Sequence, residues 1–528
     1  MTATRSQGSI DWPPASALGF WNIARNEPKR TALFLQDGSS ASFGDLLAAA
    51  NRLSHAFRTL GLVPGDCVAS VLPNDANCYA IELASLQSGL YFCPLNHHLT
   101  GPEIAYVVED SEAKLLIAHD RFAEPAVRAA QEVALASRQC LAIGEIEGFA
   151  PLEEIMRRQP DTAPSERRPG SRMAYTSGTT GQPKGVRRPL PEGNPDDLAA
   201  ESAIFARAFG LRPLDGVHLV VGPLYHAGPH VFSWGSLHVG HAQVLTDRFD
   251  AQETLALIER YRVTNTHLVA TMFHRLLALP KEVRSRYDVS SLRMVGHTAA
   301  PTPVEVKQRM MDWWGPVIWE TYGGTEGAAT IAKPHHWLKK PGTVGHAVRG
   351  VKVRVLDEDG APCPPGRAGT VYIETSGPRF SYWKDDEKTR STYRGDSFTL
   401  GDLGYLDEEG FLFLTGRKSE VIISGGVNIY PAEVENVLLT HSSVADLAVL
   451  GVPDEEWGER VVAVVEPRAG IAQAGLAEEL IQFCRDQIAH YKCPREVHLR
   501  AELPRAENGK LYRKRLRDEF WQETGRSI

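Results

Sequence analysis

The 528-residue sequence predicts an α/β fold. A large N-terminal domain of βα-layered sheets with a small β-rich subdomain is expected, followed by a small mobile α+β domain at the C-terminus. Three observations predict it. Helical and strand patterns alternate from Phe43 to Leu95, the pace of βα units in a largely parallel sheet. From Gly342 to Gly416 the strands shorten and turns crowd together. After Lys418, on the order of a hundred residues carry their own helices and strands, enough to fold alone. The expected division is 1–417 and 418–528.

From Phe43, the apolar positions Leu46, Leu47, Ala50, Leu53, Phe57 and Leu60 recur at helical spacing, and Gly61 with Pro64-Gly65 stops the run. Cys67–Leu72 reads as a buried strand, Ala76–Leu90 as a helix and Tyr91–Leu95 as a second strand. The stretch 160–170 is rich in Pro, Arg and Glu and reads as a linker. Leu268–Leu279 mixes a short strand with an apolar helix. Leu292–Val295 is a strand ending in the small-residue turn Gly296–Pro301. Another strand starts at Val317 and runs into Tyr322-Gly-Gly-Thr-Glu326. Alternating Val351, Val353, Val355 and Val371, Ile373 mark the β-rich subdomain. Beyond it, Pro431 suits the first turn of a helix. Strands follow at 445–451 and 461–465, then a helix on Leu476, Leu480, Ile481, Cys484 and Ile488.

Composition narrows the function classes. Apolar residues make up 43% and charged residues 23%, ordinary for a globular protein. A net charge of −8 argues against a nucleic-acid partner. The seven cysteines, at 67, 78, 93, 140, 363, 484 and 493, contain no C-x-x-C pair, so neither a zinc cluster nor a disulfide framework is indicated. No run approaches membrane-span length and residues 1–16 lack a signal-peptide core, so a cytoplasmic protein with no integral membrane segment is expected.

The chemistry centres on Tyr175-Thr-Ser-Gly-Thr-Thr-Gly-Gln-Pro-Lys-Gly-Val186. Three glycines, four serines and threonines, a proline and a lysine suit neither helix interior nor central strand. They suit a loop whose N–H groups, hydroxyls and ammonium converge on phosphate oxygens. It is not a Walker A loop, because Lys184 follows Pro183 and precedes Gly185. Further on, His226 stands in Gly222-Pro-Leu-Tyr-His-Ala-Gly-Pro229, where an imidazole and peptide N–H groups could orient a carboxylate. Asp402 offers acceptor oxygens in Thr399-Leu-Gly-Asp402, as a ribose diol requires. Lys510 sits in Leu503-Pro-Arg-Ala-Glu-Asn-Gly-Lys510.

In this order the motifs closely resemble those of the adenylate-forming enzymes, which include acyl-CoA synthetases, luciferases and peptide-synthetase adenylation domains. The resemblance covers nearly the whole chain. It implies that Thr176, Ser177, Gly178, Thr179, Thr180, Gly181 and Lys184 hold the ATP phosphates. Ala299, Ala300 and Pro301 would receive adenine, with Thr321, Tyr322 and Gly323. Thr325 would bond the α-phosphate, Glu326 would hold Mg²⁺, and Asp402 with Arg417 would take the ribose. His226 would lie beside the substrate carboxylate. His230, Val231, Trp234, Thr298 and Gly324 would line the acyl tunnel, and Gly425 and Gly426 the thiol tunnel. Lys510 would be the adenylation lysine. Two departures stand out: Thr298 replaces a commoner glycine, and Ser419 occupies the hinge position usually held by Asp or Lys.

The implied function is an AMP-forming carboxylic acid–CoA ligase using ATP, Mg²⁺ and coenzyme A. A medium- or long-chain fatty acid, or a bulky apolar acid such as a steroid side-chain acid, is the expected small-molecule substrate, and a homodimer is compatible with this reading. The alternatives are an adenylating enzyme that loads a separate carrier protein and a non-catalytic nucleotide-binding regulator. Glu326 and Lys510 argue against the regulator, because an AMP sensor needs neither.

Overall fold

The computed structural model describes residues 12–176, 183–299, 302–424, 427–454, 456–505 and 511–522. It is a mixed α/β protein with parallel sheets in the N-terminal part and a smaller α+β C-terminal part. Packing divides it into two compact units. The first comprises Met1–Leu268, Leu279–Gly296 and Gly377–Ser391, and the second Val269–Ala278, His297–Ser376 and Thr392–Ile528.

In the first unit, one six-stranded sheet is entirely parallel. Its order is Ala150–Pro151, Cys140–Ile143, Ala113–His119, Cys67–Val71, Tyr91–Pro94, Ser171–Arg172. Every residue of Cys67–Val71 is buried, as a central parallel strand covered on both faces requires. A second set of parallel strands runs Asn265–Leu268, Val217–Val220, Ala242–Leu245, Thr31–Phe34, with Ser40–Ser42 antiparallel at its edge.

The helices between them follow their sequence signals. Phe43–Thr59 starts at a capping box in which Ser42 and Asp45 satisfy each other's backbone N–H, and its apolar stripe buries Phe43, Leu46, Leu53 and Phe57. Ala76–Gln87 is capped by Asp75, which accepts from the Cys78 N–H at 3.0 Å. It ends three residues earlier than its sequence pattern suggests, because Ser88, Gly89 and Leu90 turn the chain into the next strand, with Gly89 at φ +73°.

In the second unit, Ile318–Gly324 and Gly327–Ala332 form an antiparallel hairpin, to which His346–Ala347 adds. Val351–Leu356, Gly369–Thr375, Asp402–Leu406 and Leu412–Arg417 build the expected antiparallel subdomain. From Ile422 onward, Gly458–Pro467 is the central strand, flanked by Val444–Asp454 and by the parallel Glu496–Leu499. Helices Pro431–Leu438 and Leu476–Arg485 cover one face, where Val434, Leu438, Leu480 and Cys484 meet Val449, Val461 and Ala463. Among the described residues, no helix is long and apolar enough to cross a membrane.

Candidate active site

In the first unit, the phosphate-loop stretch is anchored by a hairpin. Ala174–Thr176 pairs antiparallel with Lys184–Arg187, placing Lys184 opposite Thr176, and Ser381–Tyr382 extends the sheet. The predicted phosphate ligands Ser177, Gly178, Thr179, Thr180 and Gly181 lie outside the described residues. Both stems are held firmly. The Tyr175 hydroxyl donates to Asp110 at 2.6 Å and the Tyr106 hydroxyl to the Pro183 carbonyl at 3.1 Å. The Arg187 guanidinium stacks between Trp383 and Tyr91, 3.7 and 4.0 Å from the ring centroids. At Gly185 a Cβ would crowd the Met173 methyl at 2.6 Å and the Tyr175 ring at 3.0 Å, so these side chains would have to shift for a larger residue. The Lys184 ammonium is hydrogen-bonded to Asp385 at 2.5 Å, and that bond raises its pKa above the ordinary lysine value. Asp385 was not singled out from sequence, for it stands 201 residues away in an unremarkable charged run.

His226 occupies the N-cap position of helix Ala227–His238, the ordinary place for a residue between a loop and a helix. Down the helix, Val231 is 46% exposed, while Trp234 packs partly buried against the core and stacks on Tyr79. His230 does not stand bare toward a tunnel. Its Nε2 meets the Glu82 carboxylate at 2.8 Å, and Glu82 also receives the Arg172 guanidinium at 3.1 Å. Burial pushes the Glu82 carboxyl up, but His230 and Arg172 outweigh it and hold it below the usual range. Burial drives His230 the opposite way, below the ordinary imidazole value. Glu82 lies on an apolar helix, and a carboxylate buried in such a run is a sequence signal that a partner must exist. His97, by contrast, stacks on Phe122 at 4.6 Å and bonds the Leu72 carbonyl, the arrangement of a packed side chain.

In the second unit, Tyr322 and Asp402 come together. The Tyr322 hydroxyl donates to Asp402 Oδ2 at 2.8 Å, and Arg417 Nε donates to Oδ1 at 3.0 Å. Asp402 and Arg417 are direct cross-strand partners, so the carboxylate opens a strand rather than sitting in a tight turn. Burial pushes its pKa up, against the opposing pull of Arg417 and the Tyr322 phenol. Thr321 lies between the buried Glu320 and Tyr322. Beneath it, Lys307 is fully buried, bonded to Glu320 at 2.5 Å and set over the Trp337 ring.

Gly323 and Gly324 end the strand, and Thr325 and Glu326 form the turn to the next. A Cβ on Gly323 would meet the Gly327 carbonyl at 2.6 Å, and one on Gly324 the Glu326 carboxylate at 2.7 Å. Gly323 therefore needs glycine for close backbone approach rather than for a left-handed backbone, whereas at Gly324 the flexible end of Glu326 can move aside. The sequence places its surprise at Thr298. The backbone places it one residue later, at Ala299, whose φ of +78° is one that glycine adopts readily and alanine rarely. Ala300 and Pro301 lie outside the described residues, as do Gly425, Gly426 and Lys510. Ser419 is the middle residue of the 3₁₀ turn Lys418–Glu420.

The donor set suits Mg²⁺ held partly by substrate phosphates. The Glu326 carboxylate has the hard oxygens this ion takes, and the described residues contain no group of three or more His, Cys, Asp or Glu that could hold a metal ion.

Two family models match this chain: AMP-binding enzyme over residues 20–383 and AMP-binding enzyme C-terminal domain over residues 433–510. The chain belongs to the AMP-binding enzyme family, the adenylate-forming group its motifs resemble. Indoleacetate–CoA ligase of Aromatoleum aromaticum is 34% identical, over 92% of this chain and 94% of that one. 2-Succinylbenzoate–CoA ligase of Bacillus pumilus is 33% identical, over 93% and 95%. The fatty acid–[acyl-carrier-protein] ligase ScoC of Streptomyces coeruleorubidus is 31% identical, over 96% of each chain. Among solved structures, the anthranilate CoA ligase AuaEII with anthranoyl-AMP superposes with a TM-score of 0.84 at 26% identity, covering 99% of this chain and 100% of that one. The reagents of this enzyme class are ATP, Mg²⁺ and CoA.

Proposed function

We propose that this chain, an AMP-forming carboxylic acid–CoA ligase, activates an aromatic or aryl-alkanoic acid. The observation that carries the substrate class is the pair of full-length relatives named for indoleacetate and 2-succinylbenzoate, both acids with a flat ring. The anthranilate ligase points the same way. The helix after His226 supports it, since Ala227, Gly228 and Val231 leave a face of small side chains against which a ring can lie. This reading takes precedence over the fatty or steroid side-chain acid expected from sequence.

In the first step, a carboxylate oxygen attacks the α-phosphorus of ATP. The new C–O–P linkage forms as the α–β phosphoanhydride breaks and pyrophosphate leaves. His226 and the N-terminal amides of its helix orient the carboxylate. Lys184 meets the outer phosphates and Thr325 the α-phosphate. Asp402, braced by Tyr322 and Arg417, accepts from the ribose hydroxyls. Mg²⁺, when bound at Glu326, neutralises phosphate charge. Lys510 bridges the attacking carboxylate and the α-phosphate as charge builds. In the second step the CoA thiol gives its proton to solvent and its sulfur attacks the acyl carbon, and the acyl C–O bond to phosphate breaks to release AMP. A small domain beginning at 418 turns about Ser419 between the steps, withdrawing Lys510 and bringing Gly425 and Gly426 to the thiol. No side-chain nucleophile is needed, because the adenylate is already activated.

The test is acid-dependent pyrophosphate release from Mg·ATP over a panel of acetate, fatty, steroid, benzoic, cinnamic and arylacetic acids, with thioester measured in the presence of CoA. Release confined to aryl acids, with thioester formed only when CoA is added, is expected. Preferential release with fatty or steroid acids overturns the substrate class. A second reading, transfer to a carrier protein, is favoured by the full-length likeness to ScoC. It predicts release without CoA thioester and acylation of a phosphopantetheinylated carrier.

A further inference from the structure

The loop that presents His226 is fastened from outside by two side chains, the buried Asn74 and the largely buried Arg172. Asn74 donates to the Gly222 carbonyl at 3.1 Å and to the Thr246 carbonyl at 3.0 Å, and its Oδ1 accepts from the Leu224 N–H at 2.9 Å. Arg172 donates through one terminal nitrogen to the carbonyls of Leu224 and Tyr225, at 2.7 and 3.0 Å. These are the two residues directly before His226. Through its other terminal nitrogen, Arg172 is paired with Glu82, which also holds His230 one turn into the helix. The segment around His226 is therefore gripped upstream by Arg172 and Asn74 and downstream by His230 on Glu82. The guanidinium is largely buried and lies 5.9 Å from the Phe92 ring.

Arg172 also stands at a particular place in the chain. It ends the strand Ser171–Arg172 at the edge of the parallel sheet, and after the single intervening Met173, Ala174–Thr176 begins the phosphate-loop hairpin. The same backbone thus anchors the start of the phosphate loop and, through one side chain, the loop that carries His226. A buried arginine whose fork is divided between a carboxylate and two backbone carbonyls has little rotational freedom. Lysine offers its three N–H donors from one nitrogen and cannot serve the carboxylate and the two carbonyls from two separate nitrogens as the guanidinium does.

We propose that Arg172, seated on Glu82, is a positioning residue for the adenylation step: it fixes the Leu224–His226 loop in register with the phosphate-loop hairpin, so that carboxylate and ATP meet in line. The inference rests on the reading above that His226 orients the substrate carboxylate. Arg172 itself touches neither substrate. A displacement of about 1 Å at such a loop costs on the order of 100-fold in rate.

The experiment compares wild type, Arg172→Lys, Glu82→Gln, His226→Ala and the double variant Arg172→Lys/His226→Ala. Three quantities are read: the dissociation constant for ATP without acid, the KM for an acid the wild type accepts, and single-turnover pyrophosphate release. Arg172→Lys is expected to leave ATP affinity within about twofold and to slow release by roughly 10- to 100-fold. Glu82→Gln keeps the side-chain size, removes the anchoring charge and one acceptor oxygen, and shifts the same quantities in the same direction. The double variant is expected to be no slower than His226→Ala alone, because one residue acts through the other. Additive losses in the double variant overturn the proposal, and so does an Arg172→Lys enzyme that folds and works at the wild-type rate. If Arg172→Lys fails to fold, Glu82→Gln with wild-type release overturns it instead. If no acid on the panel supports release in the wild type, it is the ligase reading that has failed.

Discussion

Lowering the pH should loosen the helix that follows His226. His238, at the end of that helix, is buried, and its Nδ1 accepts the Phe20 N–H at 3.0 Å. A protonated ring would lose that bond and place a charge among apolar groups, so burial drives its pKa down to about 3 from 6.5. The unfolded chain binds a proton near pH 6.5, whereas the folded chain refuses it until about pH 3. The stabilisation is therefore complete above pH 6.5 and is lost as the pH falls from there toward 3. Between pH 7.5 and pH 5, His238 alone should remove about 2 kcal/mol, from roughly 1.36 kcal/mol per unit over the titrated range. His241, pushed down to about 4 chiefly by burial, adds in the same direction. The assay is urea unfolding at both pH values for wild type and His238→Asn, whose carbonyl oxygen can stand near the Nδ1 position. The variant is less stable throughout, but its loss between the two pH values should be smaller than the wild type's by about 2 kcal/mol. An equal loss in both proteins would refute the assignment of acid sensitivity to His238.

Other perturbations follow from the same geometry. Lys307→Met should destabilise by about 3–5 kcal/mol, since it leaves Glu320 charged and buried, and adding Glu320→Gln should recover much of that in the same unfolding assay. Asp402→Ala should raise the KM for ATP more than tenfold, on the order of one charge-assisted hydrogen bond, and strip the partner from both Tyr322 and Arg417. Steady-state kinetics with ATP varied checks it. Asp385→Asn should leave the unfolding midpoint nearly unchanged, because the pair with Lys184 is partly exposed, yet lower the KM for ATP by freeing the ammonium. Gly345→Ala should be poorly tolerated: a Cβ there would lie 2.1 Å from the Ile331 backbone, at a φ of +98°. Soluble yield and thermal midpoint report it.

The α/β class and most elements were legible because hydrophobic period and turn residues act locally. The capped helices Phe43–Thr59 and Ala76–Gln87, and the strand Cys67–Val71, follow their patterns to within a few residues. Ends were less legible where tertiary contacts decide them. The strand bearing Tyr322 continues through Gly323 and Gly324 because Gly327–Ala332 pairs back onto it, and a local rule would have stopped it at the first glycine. The candidate residues were legible as chemistry, since a phosphate loop, a Y-G-x-T-E run and a G-K lysine are contiguous in sequence.

Their partners were not legible, and the reason is distance along the chain. Asp385 meets Lys184 from 201 residues away, and Arg172 reaches Glu82 across 90. Nothing local tells such residues from ordinary surface charge except, in one case, composition. Glu82 sits in Ala-Ile-Glu-Leu-Ala on a helix otherwise built of core residues. A carboxylate cannot be buried there at neutral pH without a cation and hydrogen bonds to hold its charge. The sequence therefore demanded a buried partner without naming it, and the fold supplies two, Arg172 and His230. That both lead to the segment around His226 is why the carboxylate reads as part of the site's support rather than as a packing accident.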